Sequence, residues 1–276
     1  MTAKDSGGDT VGAIYAYGNT TVYRGTVKGE NEIVFRTETL NVNGGSLIGT
    51  TNREIYVGGE GTINIQNNSI ITGNKFEING SGINFITINV YSGTITGTIY
   101  DGISIAKNST INVSGGKISG KENGILIYEN SYSNITVNNG EIYGKYGIGS
   151  DSSGNITING GTIKGTDDGG LRSKSATLNV NGGNITGKVY GIINTSGTVN
   201  MNNGTVRGYT YDGISQAGDG RIYLNSGTVI GVNWAVYAPG GIVYYKNSAP
   251  YISLTSSNNL WDNGRYALYA VNYQNI

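Results

Sequence analysis

Two adjacent carboxylates, Asp167 and Asp168, stand in Gly165-Thr-Asp-Asp-Gly169, with Arg172 and Lys174 close behind. Glycoside hydrolysis needs paired acids of this kind, one to protonate the leaving oxygen and one to attack or to activate water. A polysaccharide lyase would instead use acids to hold calcium beside a basic proton acceptor, and Arg172 and Lys174 are the nearest basic residues. The chain contains neither His nor Cys, so imidazole acid–base chemistry, thiol nucleophiles and thiolate metal sites are excluded. Asp101 and Asp212 share one position of a repeat but fall five repeats apart, too far to meet on one bond. Asp-Gly sequences commonly cap turns, and that is the expectation for the doublet. If the chain is an enzyme, Asp167, Asp168 and Arg172 carry its chemistry; the expectation is that it is not one, and that it holds no metal or cofactor.

Tyrosine is the second chemically suggestive residue, 21 copies against three Phe. Tyr100, Tyr146, Tyr190 and Tyr211 precede a recurrent Gly-Ile pair, and Tyr143 and Tyr209 flank the same corner. A phenol combines an apolar face with a polar tip and suits a wet interface such as a sugar surface. These six are the candidate ligand-binding residues; mutual packing over the bend is the competing role. A further group, Trp234, Tyr237, Tyr244, Tyr245, Tyr251, Trp261, Tyr266 and Tyr269, is expected to plug the end of the fold, where open strand edges need cover.

What positions these residues is a repeat. Thr110-Ile-Asn-Val-Ser-Gly-Gly-Lys-Ile-Ser-Gly120 returns as Asn134–Gly144, Asn155–Gly165, Thr177–Gly187 and Thr198–Gly208, and upstream as Thr39–Gly49 and Thr87–Gly97. Successive starts are 21 to 25 residues apart, the signature of a solenoid. Apolar residues at positions two and four around a polar third position read as a half-buried strand, and the Gly pair that follows reads as a tight bend. A second strand such as Lys117-Ile-Ser119 and a third at the Gly-Ile pair complete a turn. The expectation is therefore all-β: roughly eleven turns of three short strands, stacked in parallel about 4.8 Å apart. Regular turns should cover about residues 9–241 and irregular ones 242–276, the whole chain of 1–276 forming one domain. At position three, Asn41, Asn64, Asn89, Asn112, Asn179 and Asn200, with Thr136 and Thr157 between, should form an outward amide ladder that stabilises and solubilises the sheet. An ice-binding Thr-x-Thr column on the second strand, begun by Thr94 and Thr96, is broken by Lys117, Tyr143 and Lys164.

This pattern resembles the right-handed parallel β-helix of the pectate-lyase-like superfamily. It is similar in particular to the repetitive helices of bacterial surface adhesins and autotransporter passengers. The resemblance implies right-handedness and an architecture shared by lyases, hydrolases, adhesins and inert stalks.

Composition narrows the partners. Lys plus Arg and Asp plus Glu both number 18, so no basic field draws nucleic acid. No apolar run is long enough to insert into a membrane. Met1-Thr-Ala-Lys-Asp-Ser lacks the apolar core of a secretory leader, and the chain is expected to be a piece of a longer exported protein. The leading expectation is a non-enzymatic extracellular segment of a bacterial surface protein, an adhesin or spacer rod contacting glycans or a host-surface protein. The alternatives are a polysaccharide-active enzyme and a filament unit that self-associates through the solenoid ends. Variation from the repeat, at the tyrosine corner, the Asp167-Asp168 turn and near 62–86 and 242–270, marks where function should lie.

Overall fold

A computed structural model describes residues 14–29, 33–36, 38–49, 55–57, 61–74, 76–78, 85–106, 108–129, 131–245, 252–257 and 268–275. Among them every regular element is a β-strand, and no helix is long and apolar enough to cross a membrane. One turn illustrates the plan: a first strand Ser109–Val113, a second Lys117–Gly120 and a third Asn123–Ile127. Each strand pairs in parallel with its equivalents one turn before and after it. Ile111 lies level with Ile88 and Ile135, Ile118 with Ile95 and Ile142, and Ile125 with Ile103 and Ile148. The molecule is a parallel β-solenoid.

The period-2 alternation of the first strand explains the stacking. Ile111 and Val113 point inward and are fully buried, while Thr110 and Asn112 remain accessible. Second-strand Ile118, Ile142, Ile163 and Ile185 and third-strand Ile125, Ile148, Leu171 and Ile192 close the same interior from the other two sides. Burying each such side chain contributes roughly 1.5–3 kcal/mol, and a turn collects that only with a neighbour above and below. The bend after the first strand depends on glycine. Gly161 has φ +78°, and a Cβ there would stand 2.6 Å from the Gly140 carbonyl oxygen of the previous turn.

The second strands form an 11-stranded sheet from Thr26–Gly29 to Ile252–Ser256. First and third strands belong to one 22-stranded sheet. They become continuous at the C-terminal end, where Val236–Tyr245 runs through both positions with a register shift between Ala238 and Ile242. Leu268–Asn275 pairs along it in parallel, so this described strand continues the stack.

One expectation is corrected. The regular repeat template runs through nine turns, from the strand Thr39–Asn43 to Gly227–Gly231, rather than roughly eleven; less regular flanking strands bring the second-strand sheet to its eleven. Of the C-terminal aromatics, the described Tyr237 and Tyr244 pack on neighbouring rings. Tyr237 lies between buried Val236 and Ala238 and so faces outward, where its ring stacks on Tyr269 at 5.1 Å; Tyr244 stacks on Tyr223 at 4.5 Å. Parallel pairing sets equivalent side chains above one another, which makes stacked columns of such rings. Among the described C-terminal aromatics, Tyr245 alone packs partly against the core. Tyr251, Trp261 and Tyr266 lie outside the described residues.

Candidate functional site

The Asp167-Asp168 turn follows the second strand Thr162–Gly165, and its two carboxylates diverge. Asp167 is exposed and pairs with Lys188 of the next turn at 3.5 Å. Asp168 accepts a hydrogen bond from the Tyr146 hydroxyl of the previous turn at 2.7 Å. Burial first, and then this carboxylate, push the Tyr146 phenol up to about 12. Arg172 lies on the third strand Leu171–Ser173, as its place in the chain implies, and is committed elsewhere. Its guanidinium donates through Nη1 and Nη2 to the Asp151 carboxylate at 2.9 and 3.4 Å, and lies 5.4 Å from the Tyr146 ring centroid. Asp167, Asp168 and Arg172 thus serve three different partners on neighbouring turns, the inter-turn pairing that stacking favours.

The tyrosine corner also divides. Counted from the level third-strand residues, Tyr146 and Tyr190 occupy one position, while Tyr100 and Tyr211 stand one residue earlier. Tyr190 and Tyr211 make a tilted pair at 5.6 Å, Tyr143 receives the Lys117 ammonium at 5.0 Å, and Tyr209 receives the Arg207 guanidinium at 4.5 Å. Tyr100, Tyr209 and Tyr211 are exposed.

The Asn column is realised as hydrogen bonds. Asn64 donates through Nδ2 to Asn41 Oδ1, Asn89 to Asn64 and Asn112 to Asn89, each at 2.9 Å, and Asn200 donates to Asn179 at 2.8 Å. A second ladder two residues on went unread: Asn159 donates to Asn138, Asn181 to Asn159, Asn202 to Asn181 and Asn225 to Asn202, at 2.8–2.9 Å. Its sequence signal was present as Asn before the Gly bend in successive repeats, but those Asn read equally well as turn residues.

Buried acids sit at the bend before the third strand. Asp101 Oδ1 accepts from the backbone N and Nδ2 of Asn123, at 3.0 and 2.7 Å, and its Oδ2 accepts from Ser104 Oγ at 2.8 Å. Asp212, equally enclosed, accepts from Trp234 N at 3.2 Å, and burial pushes its carboxyl up to about 6 against the opposing pull of Trp234 N–H and Ser215.

What sequence reasoning missed is a groove at the corner between third and first strands. It has a volume of about 430 Å³ and is lined by Asn108, Glu129, Ser131, Tyr132, Asp151, Ser152, Ser153, Lys174 and Ser175. Four consecutive turns supply it through the loops entering Ser109–Val113, Asn134–Val137, Asn155–Ile158 and Thr177–Val180. Tyr132 is 50% exposed, its backbone N–H held by Asn108 Oδ1 at 2.6 Å. Lys174 reaches across two turns to Glu129, which holds its ammonium above the usual lysine range, and Asp151 carries Arg172. The groove therefore matches each acid with a base while presenting one aromatic ring and a set of small hydroxyls and amides. The repeat is silent in these loops; Asp151 and Lys174 share one offset from the third strand, but Glu129 lies one residue later, so no regular signal marked them.

Among the described residues no three acids or other ligating side chains group in a way that would hold a metal ion. No family model, no curated protein and no solved structure matches this chain, so what stands is the parallel β-solenoid itself and the geometry of its surface.

Proposed function

We propose that this chain is a stiff rod segment of an extracellular bacterial surface protein, and that it adheres to saccharides rather than cleaving them. The observation that carries this reading is the corner groove. An exposed phenol ring suits the apolar face of a sugar, and the surrounding Ser, Asn and carboxylate groups suit its hydroxyls. Glu129 and Asp151 are each engaged by a cation from another turn, an arrangement that holds a shape. The Asp167-Asp168 turn supports the same reading, because its carboxylates are bound to Lys188 and Tyr146 instead of facing one another across an open cleft. Stiffness follows from the stacked core and the amide ladders, which tie each turn to the next.

The test is a glycan array probed with the whole chain. Binding should survive Asp167→Asn and Asp168→Asn and fall at least tenfold with Tyr132→Ala. An array on which the chain binds nothing would remove adhesion and leave a spacer. Release of reducing ends from a polysaccharide, lost on Asp167→Asn or Asp168→Asn, would replace this reading with the enzymatic one.

A further inference from the structure

The first strands build one face of the solenoid from three outward columns. Position one reads Thr39, Thr62, Thr87, Thr110, Asn134, Asn155, Thr177 and Thr198, and position three is the Asn and Thr ladder column. Position five reads Asn43, Gln66, Tyr91, Ser114, Asn138, Asn159, Asn181 and Asn202. All twenty-four side chains in these eight turns are accessible and none is charged; the ninth template turn brings exposed Arg221 into position one and ends the neutral plane. At the 13% charge of the whole chain, twenty-four positions would hold about three charges, and solvent-facing positions more. The adjoining second-strand face carries charge in both of its outward columns, Lys117 and Glu141 at the first position and Lys164 and Arg207 at the third. Two turns exchange Thr and Asn between columns, at Asn134/Thr136 and Asn155/Thr157, and still bring in no charge. Neutrality holds while side-chain identity drifts.

The face is also ordered. Every amide link along it runs in the same sense, the later turn donating to the earlier. An amide has two N–H donors and a carbonyl with two lone pairs, and a ladder uses one of each, so the rest point away from the stack in fixed directions. The result is a plane ~34 Å long and ~13 Å wide that repeats a donor–acceptor pattern every ~4.8 Å.

From this we infer that the Thr/Asn plane is a docking surface for an extended, uncharged polysaccharide lying along the rod, with roughly one sugar unit per turn. The step between turns is comparable with the length of one extended pyranose unit. Hydroxyls alternate donor and acceptor as the plane does, and an uncharged ligand has no use for the ion pairs of the other faces. The inference rests on the adhesive reading but uses a surface separate from the groove.

The experiment is retention of the full chain on washed suspensions of cellulose, chitin and β-1,3-glucan. Retention on at least one polymer is expected, and it should be unchanged between about 0.05 and 0.5 M salt, because screening acts only between charges. Thr110→Lys with Thr157→Lys should weaken it at least tenfold, while neutral Thr157→Gln and the second-strand control Thr162→Lys bind as the wild type does. No retention on any polymer, or lysine variants that bind unchanged, would overturn the plane as a binding surface. Tyr132→Ala separates the two sites: it should abolish soluble glycan binding in the groove and leave retention on the solid polymer intact.

Discussion

Asp212 offers the most quantitative handle on how this solenoid tolerates polarity. It is 5% exposed, at the bend before the third-strand residue Ile214, and its carboxyl is pushed up to about 6 from 3.8, burial outweighing the pull of Trp234 N–H and Ser215. A folded-state value above the unfolded one means that the folded protein binds the extra proton between about pH 4 and 6. Stability therefore falls as pH rises through that window and levels off above it. The shift of about two pH units corresponds to at most ~3 kcal/mol. Asp212→Asn removes the charge and keeps the shape; Asn123, which lies at the same bend, shows that an amide fits there. The variant should match the wild type near pH 3.5 and exceed it by up to ~3 kcal/mol at pH 7.5. Urea melts of both proteins from pH 3.5 to 7.5 measure this, and the difference between their midpoints cancels the titration of every shared carboxylate. Parallel profiles, with no gap opening between pH 4 and 6, would refute a buried ionised Asp212.

Two further outcomes probe the stack itself. Asn64→Ala removes both a donor to Asn41 and an acceptor for Asn89, and should cost ~1–3 kcal/mol in a urea melt, whereas Thr157→Ala, on the same column, should cost under ~1 kcal/mol. Titrating phenolate absorbance should show a tyrosine with a midpoint near 12, and Asp168→Asn should lower that midpoint towards the ordinary range by removing the acceptor beside Tyr146.

The parallel solenoid was legible in the sequence because its cause is local and periodic. Alternation at Ile111 and Val113 dictates which face is buried, the Gly before Thr162 dictates the bend, and recurrence forces equivalent strands into register. Once register holds, an Asn at position three must meet an Asn one turn away, so the first amide ladder was readable too. The corner groove was not. Glu129, Tyr132, Asp151 and Lys174 lie in loops that obey no template, and Lys174 meets Glu129 only because two turns of stacking bring residues 45 positions apart together. The arrangement of the tyrosine corner was not legible for a related reason: bends of different length place Tyr100 and Tyr211 one residue out of step with Tyr146 and Tyr190. Asp167 and Asp168 look like a pair in sequence, yet neighbours along a turn point apart, and each took its partner from the adjacent turn. Periodic apolar burial is decided residue by residue along the chain. The pairing of surface charges and rings depends on which loops stacking brings side by side, and only the folded coil decides that.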